Sequence, residues 1–257
     1  SMNANFPKCM NGVQFMNYYN MGELMDQLAN GQITDRSQYV PKFTKEMFQL
    51  ATNGDFTDGY EDYDYIGKVF GTGTTTKHNL SMQGGTENHK YYASIGYLGQ
   101  KGNIDRFNYD RYSMRFNLES KLAEHWTLEM GAAGLVSTRK QPGYNSGGAD
   151  NGYTEVGYFS IAHQAIAMHP YLSPKKDGYY TGVVSNNGSS PNSPLASIYD
   201  SGYKKTNGLE LATNISLQFD CPWVKGLSAK VSGAFDYSNS RNKNLDIPFQ
   251  VMQYNKD

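Results

Sequence analysis

Apolar and polar side chains alternate with a period of two along much of this chain, and that period is typical of β-strands. In residues 111–122, Met114 and Phe116 share one face, while Arg115 and Glu119 share the other. Strands in soluble domains usually have five or six residues, whereas strands that cross a bilayer at a tilt need roughly 9 to 11. The segment 111–122 has the length of a strand that crosses a bilayer.

About six segments alternate in this way, and polar or turn-forming stretches separate them. The segments are residues 77–83, 91–97, 111–122, 126–138, 209–219 and 227–237. The connections between them are short and long in turn. Successive antiparallel strands place alternate connections at the same end of a sheet, so all the short turns are expected at one end and all the long loops at the other. The pattern predicts a mainly β fold, an antiparallel up-and-down meander of about six long strands.

The longest connection, residues 139–206, far exceeds the usual handful of residues. It is rich in Gly, Asn, Ser and Tyr, and only residues 159–168 have the pattern of a short helix, which His169 and Pro170 would end. A connection of this length is expected to be functional or disordered.

The first part of the chain, residues 1–70, shows no strand alternation and is predicted to be partly helical. One short helix is expected to end near Gly31, and a second to begin after Thr44 as its N-cap. The predicted organisation is therefore a partly helical segment 1–70 followed by the strand region 71–257, which contains the long loop 139–206.

Composition and charge limit the possible partners. The formal net charge is -1 and no run of Lys and Arg is present, which argues against nucleic acid. No run of about 18 apolar residues could form a transmembrane helix. A transmembrane barrel remains compatible with the negative mean hydropathy, because its strands alternate lipid-facing with lumen-facing side chains.

Aromatic residues lie near the strand ends on the apolar face. Trp and Tyr favour a membrane interface, because their rings are apolar and their N–H or O–H groups bind water. A soluble antiparallel sheet with an aromatic core would have the same alternation, so both surroundings stay open on this pattern alone. The aromatic residues are Tyr91, Tyr97, Tyr112, Trp126, Phe219 and Tyr237.

Catalytic and metal motifs are not found. Residues 71–77 are rich in Gly and Thr but lead into a strand and do not form a phosphate-binding loop. The acidic run 55–64 has its glycine one position too early for a calcium-binding EF-hand loop, so a solvated acidic loop is favoured. Cys9 and Cys221 match no metal or redox spacing and are expected to be unpaired. No enzyme activity, cofactor or metal is predicted.

Three strings in the strand region resemble the early barrel of SusC/RagA-type TonB-dependent transporters of Bacteroidetes. They are HNLSMQGGTE at 78–87, YYASIGY at 91–97 and DRYSMRFNL at 110–118. The order and spacing of these strings are typical of the family. Tyr65 departs from the family pattern, which has Trp after the corresponding Asp.

The resemblance implies an outer-membrane protein that imports a glycan, oligosaccharide or peptide. A SusD-like surface lipoprotein would cover it, TonB would drive it, and outer-membrane lipid would surround it. Such transporters close with about 22 strands, so the chain is expected to be a fragment of the early barrel that does not transport alone. Its open sheet would expose unpaired edges, which favours self-association. The alternative is a soluble all-β carbohydrate-binding or structural module.

Two groups of residues are candidates for function under this resemblance. The first group consists of tyrosines of the long loop that would stack on ligand rings or pack the loop: Tyr144, Tyr153, Tyr158, Tyr179 and Tyr180, with Tyr171 beside them. The second group consists of charged residues that would face a polar lumen: Arg115, Glu119, Lys121, Glu129 and Lys230.

Overall fold

The computed structural model describes residues 9–53, 62–144, 156–183 and 193–252. These residues form five α-helices and nine strands. The helices are α1 (Gly12–Ala29), α2 (Lys45–Asn53), α3 (Tyr65–Val69), α4 (Val156–Ala167) and α5 (Pro194–Tyr199), with a 3-10 turn at Arg36–Gln38. The strands are β1 (Thr74–Gly85), β2 (His89–Lys101), β3 (Asn108–Ala123), β4 (Trp126–Pro142), β5 (Lys175–Lys176), β6 (Tyr179–Thr181), β7 (Gly202–Asp220), β8 (Ser228–Asp246) and β9 (Val251–Met252).

The chain divides into two compact units. The strand unit is made of Gly73–Gln141 and Tyr203–Leu245. The helical unit is made of Ser1–Thr72, Pro142–Gly202 and Asp246–Asp257.

The strand unit is a six-stranded sheet in the order β1-β2-β3-β4-β7-β8. The first three ladders are antiparallel, and their registers pair Leu80 with Ile95, Ile95 with Met114, and Met114 with Gly134. The predicted mainly β meander is confirmed. The sheet is not closed, because β1 and β8 are its outer strands.

The long strands extend beyond the segments with apolar alternation. β7 begins at Gly202, although alternation begins only near Leu209, and β8 continues to Asp246, although alternation ends near Tyr237. Backbone hydrogen bonds stabilise these extensions, because a ladder can continue without apolar side chains. Apolar alternation therefore marks only the central part of each strand.

The long connection contains more regular structure than its sequence predicts. Its predicted helix is present as α4, and α5 and the short strands β5 and β6 are also found there. β6 pairs antiparallel with β5 and parallel with β9, which comes from the end of the described chain. A two- or three-residue strand has no detectable period, so sequence alternation could not reveal this small sheet.

The helical unit has its core between α1, α2 and the long connection. Met16, Phe43 and Met47 pack with Tyr171 and Leu172 of that connection. α1 is longer than predicted because Asn11 begins it with a capping box, in which the Asn11 side chain accepts a hydrogen bond from the backbone N–H at the third helical position.

A buried amide joins α4 to α5. The Gln164 side chain is only 3% exposed, and its Oε1 accepts hydrogen bonds from the Ser193 backbone N–H at 3.2 Å and from the Ser197 hydroxyl at 3.0 Å. Both donors are satisfied, so this polar contact orients α5 without leaving an unpaired buried group.

His169 lies at the edge of the helical core. Its ring lies 4.9 Å from the ring of Phe15 and 5.3 Å from that of Tyr171, centroid to centroid, and its Nδ1 is 3.0 Å from the Tyr171 hydroxyl oxygen. Burial, and then the positive charge of Lys42, lower the pKa of His169 below its usual 6.5. The folded unit therefore favours the neutral imidazole.

We expect Met16→Ala to lower the free energy of unfolding of the helical unit by about 2–5 kcal/mol, because the buried side chain leaves a cavity. Native-state hydrogen exchange of the α1 and α2 amides measures this change. Met21→Ala on the same helix is the matched control, since Met21 is 53% exposed whereas Met16 is fully buried. Equal effects of the two substitutions would contradict the assigned core.

We also expect the helical unit to lose stability at acid pH through His169. The depressed pKa in the folded state means that stability is complete above about pH 6.5 and falls as the pH drops from 6.5 towards the folded-state pKa, by at most about 1.4 kcal/mol per pH unit. His169→Phe should flatten this dependence, whereas His163→Gln at an exposed site of α4 should not. Hydrogen exchange between pH 7.5 and 5.5, corrected for intrinsic rates, tests this difference.

Candidate functional site

One face of the strand unit is an exposed apolar surface. Leu80 is 68% exposed, Met114 is 61% exposed and Phe235 is 61% exposed, on β1, β3 and β8 respectively. Monomeric soluble proteins rarely expose large continuous apolar patches. Within the described residues this face is not buried in a core. A soluble module would need such a core to cover it.

The apolar surface is recessed along β4, because the side chains that this strand contributes are small. Gly134 lies opposite Met114, and Ala132 lies opposite Phe116. The Met114 side chain leans over the glycine, because a Cβ at Gly134 would lie 3.3 Å from the Met114 Cγ. A shallow apolar depression results, and it is lined in part by Tyr112.

Aromatic side chains lie towards both ends of the apolar face. At the short-turn end, the rings of Trp126 and Phe219 are 4.7 Å apart, and Trp223 in the β7–β8 turn is 82% exposed. Towards the long-loop end, the rings of Tyr97 and Tyr112 are 5.0 Å apart. The sequence pattern indicated this distribution, except for Trp223, which belongs to a turn and has no strand period.

The opposite face of the sheet is polar and carries two ion pairs near the short-turn end. Lys90 Nζ lies 3.1 Å from Glu119 Oε1, and Lys230 Nζ lies 2.7 Å from Glu129 Oε2. The Ser216 hydroxyl donates a second hydrogen bond to Glu129, at 3.0 Å. We call these five residues the paired layer.

The ion pairs of the paired layer explain how two carboxylates can lie opposite each other on neighbouring strands. Glu119 and Glu129 lie directly opposite each other on β3 and β4. Like charges in that position repel, and a lysine on the outer side of each carboxylate offsets the repulsion. Sequence reasoning missed Lys90, which it assigned to a turn, although the register of the β1–β2 hairpin could have identified it.

Glycines make room for amide side chains in the next row of the polar face. A Cβ at Gly131 would collide with the side-chain oxygen of Asn214 and come within 3.3 Å of that of Asn117. At Gly96 the nearest groups are the side chains of Asn79 and Ser113, both at 2.8 Å. Polar side chains therefore lie flat across this face above the two glycines.

The predicted polar residues lie on one face of the sheet, as strand parity requires. Arg115 and Lys121 share β3 with Glu119, and Glu129 and Lys230 are joined by their ion pair. Arg115 and Lys121 form no ion pair within the described residues. Whether this face borders a lumen stays a prediction.

The predicted tyrosines of the long connection do not form one stacking platform in the described residues. Tyr144 is half-buried beside Phe249, and Tyr158 is half-buried in α4. Tyr179 is 50% exposed, whereas its neighbour Tyr180 is buried and has Lys175 Nζ 4.1 Å above its ring.

Two other tyrosines complete this set. Tyr153 lies outside the described residues, and Tyr171 is part of the helical core. Burial raises the pKa of Tyr144, so its hydroxyl stays protonated well beyond neutral pH. A ligand-binding role of these tyrosines stays a prediction.

Most of the acidic run 55–64 also lies outside the described residues. Its last part has structural roles: the Asp62 side chain accepts a hydrogen bond from the Gly12 N–H at 2.8 Å, and Asp64 caps α3 through the Gly67 N–H at 2.8 Å. Cys9 is a free thiol. No cluster of three or more metal-binding side chains occurs among the residues that the structure describes. No described helix is long and apolar enough to cross a membrane.

Comparison with known proteins identifies two kinds of similarity. A TonB-dependent receptor of Formosa agariphila is 25% identical over 107 residues, which cover 39% of this chain and 11% of the receptor. The TonB-dependent receptor SusC of Bacteroides thetaiotaomicron is 21% identical over 206 residues, which cover 74% of this chain and 20% of SusC. The chain thus spans a fifth or less of the length of these relatives. No protein-family model matches the sequence.

Solved structures of the RagAB peptide importer have a similar fold. The closed-closed state matches with a TM-score of 0.57 and 23% identity, over 91% of this chain and 26% of the matched chain. A second RagAB structure matches with a TM-score of 0.58 and 19% identity over the same shares. By name, these relatives are receptors and importers. The predicted resemblance is confirmed: in sequence and in fold, the chain is similar to TonB-dependent transporters of the SusC/RagA type.

Proposed function

We propose that this chain forms a section of the wall of an outer-membrane, TonB-dependent importer of the SusC/RagA type. The observation that carries the proposal is the two-sided sheet, with Met114 and Leu80 exposed on one face and the paired layer on the other. Lipid would cover the apolar face, and the polar face would border the lumen. As a section with two open edges, the chain would not transport alone.

The height of the apolar face supports this assignment. On β4 the face runs from Trp126 to Val136, and along β8 it runs from Leu227, the residue before the strand, to Tyr237, about ten residues in each case. Ten residues span ~33 Å along a strand. At the tilt of about 40° that is usual in such barrels, this length corresponds to a height of ~25 Å, which is the height of their apolar band.

The aromatic residues at both ends of this band support the same orientation. Trp126 and Phe219 would lie at one lipid–water interface, and Tyr97 and Tyr112 at the other. In barrels of this kind the short turns face the periplasm and the long loops face outside. The long connection 139–206 would then be extracellular.

The cargo is proposed to be a glycan, an oligosaccharide or a peptide. The polar residues Arg115, Glu119, Lys121, Glu129 and Lys230 would border its path. Exposed or half-buried tyrosines of the long connection, Tyr144, Tyr158 and Tyr179, would be available for stacking, and Tyr153 belongs to the same proposal. The ring of Tyr180 is buried under Lys175 and would instead pack the connection. The partners would be a SusD-like surface lipoprotein and TonB, because RagAB and SusC are the relatives with which the chain shares its fold and sequence.

We expect labels on neighbouring residues of β3 to differ in their access to lipid. Single cysteines would replace Met114 and Arg115 in a chain whose Cys9 and Cys221 are changed to serine, and each would carry an environment-sensitive fluorophore. In nanodiscs that contain lipids brominated on their acyl chains, the label at position 114 should be quenched several-fold more than the label at position 115.

A second pair of labels serves as the internal control. Phe116 and Asn117 continue the same alternation on β3, so the label at position 116 should be quenched and the label at position 117 should not. Equal quenching at both members of each pair would show that lipid does not distinguish the two faces of β3, and would overturn the proposed function.

A further inference from the structure

The apolar face of the sheet becomes basic beyond the aromatic residues of its long-loop end. Strand parity places five cations on this side of the sheet, on four of its strands. Lys205 is half-buried and the other four are exposed. We call these five residues the basic rim: Lys101 on β2, Lys140 on β4, Lys205 on β7, and Arg241 and Lys243 on β8.

The strand register brings the lysines of the basic rim side by side. Asn108 on β3 lies opposite Lys101 in one antiparallel ladder and opposite Lys140 in the next. Between β4 and β7, three hydrogen bonds agree on a single register, and that register places Lys140 directly opposite Lys205. They run from the Asp220 N–H to the His125 carbonyl, from the Ser216 hydroxyl to Glu129, and from the Thr138 hydroxyl to the Asn207 side chain.

The row of lysines continues onto β8. In the β7–β8 turn the Cys221 N–H donates to the Leu227 carbonyl at 2.9 Å, and this register places Lys243 opposite Lys205. The Lys243 Nζ lies 5.8 Å from the centre of the Tyr203 ring, on the neighbouring position of the same face of β7, which agrees with this register. Three lysines therefore lie directly opposite one another on β4, β7 and β8, within about 10 Å.

Within the described residues, no carboxylate forms an ion pair with the basic rim, because the ion pairs found there are those of the paired layer. Asp110 lies on the same face, one row closer to the apolar band, and its Oδ1 accepts a hydrogen bond from the Tyr97 hydroxyl at 3.0 Å. Asp105 in the β2–β3 loop accepts one from the Arg106 N–H. Like charges directly opposite each other destabilise a sheet, so an anionic partner from outside the described chain would stabilise the rim.

The opposite face of the same strand ends is also basic, but its cations are arranged differently. Arg139 lies opposite Tyr109, and its Cζ is 5.9 Å from the centre of that ring. Lys204 lies opposite Gln141 in the register that joins β4 to β7. Direct cross-strand clustering of cations is therefore specific to the basic rim. The charged residues of the opposite face at this end are Lys77, Arg111, Arg139, Lys204 and Glu210.

The shallow apolar depression lies directly below the basic rim. It extends to Val136, Leu209 and Tyr237, which belong to the three strands that carry the opposed lysines. The four residues from Val136 to Lys140 span ~13 Å along the strand, or ~10 Å in height at a tilt of about 40°. Lysine side chains bend so that their ammonium groups lie at the level of lipid headgroups. The rim and the depression thus have the relative positions of a headgroup and its acyl chain.

We propose that the basic rim binds the phosphate headgroup of an anionic lipid in the leaflet at the long-loop end, and that an acyl chain of the same lipid occupies the depression. Charge complementarity identifies the headgroup, because a phosphate monoester carries about −1.5 to −2 charges near neutral pH and accepts hydrogen bonds from several lysines. A zwitterionic headgroup would bring its own cation next to the lysines. This inference rests on the proposed function, since it selects among the lipids that would cover the apolar face.

The test determines which lipid of a mixed membrane lies in the depression. A Val136→Cys replacement, in a chain whose Cys9 and Cys221 are changed to serine, carries an environment-sensitive fluorophore. All nanodiscs contain phosphatidylcholine with one phosphatidic acid in ten lipids. In one set the phosphatidic acid is brominated on its acyl chains, and in the other an equal amount of the phosphatidylcholine is brominated, so the sets differ only in which lipid quenches.

We expect brominated phosphatidic acid to quench the label roughly threefold or more strongly than brominated phosphatidylcholine, because cations near the interface concentrate anionic lipid. Lys140→Gln combined with Lys205→Gln should abolish this preference. Arg139→Gln combined with Lys204→Gln is the matched control, since it removes the same charge from neighbouring positions of the same two strands on the opposite face. The control should keep the preference.

The two double variants distinguish a lipid site from general attraction of a basic protein to an anionic membrane. Equal quenching by the two lipids before either substitution, or an equal loss in both double variants, would overturn the proposal. Removal of the preference by inorganic phosphate, compared with chloride at the same ionic strength, would indicate a site for the free anion and would also overturn it. Far-UV circular dichroism checks that each variant retains the sheet.

A separate outcome distinguishes this inference from the proposed function. Equal quenching by the two lipids at position 136, together with alternating quenching at positions 114 and 115, would overturn this inference and leave the wall proposal standing.

Discussion

The backbone hydrogen-bond ladder of the six-stranded sheet is the constraint on which the rest of the strand unit depends. Each ladder satisfies the N–H and C=O groups of the strands between the two edges, so either face of the sheet can meet a medium that offers no hydrogen bonds. The ladder also determines which side chains are neighbours. Met114 and Gly134 become adjacent on one face, and Glu119 and Glu129 on the other, although neither pair is close in sequence.

The two faces use this register in different ways. The apolar face depends less on the exact pairing, since after a shift of two residues Leu80 and Phe235 would still point to the same side. The polar face depends on it strongly. A shift of one residue would move Lys230 to the apolar face, where it would lose its ion pair with Glu129. Register therefore matters more for the chemistry of this sheet than for its overall shape.

The helical unit follows a different physical principle. Met16 and Tyr171 come from segments far apart in the chain and pack in one buried core, and Gln164 holds α5 by hydrogen bonds that are fully satisfied. His169 adds a group whose charged form opposes this packing. The unit thus combines an apolar core with polar contacts that specify its helix arrangement, and its stability depends on pH where that of an all-apolar core would not.

The sequence of this protein predicts the structural features that depend on neighbouring residues. Strand period, turn residues and N-caps are properties of neighbouring residues, so the meander, the two faces, the start of α2, the presence and end of α4 and the resemblance to SusC/RagA-type transporters could be predicted. Tertiary structure decided what depends on residues distant in sequence. The pairing of Lys90 with Glu119 and of Glu129 with Lys230 required the register between strands. The burial of Tyr171 and Tyr180 required the packing of the long connection, because a tyrosine that packs a loop and one that is free to bind a ligand look alike in sequence.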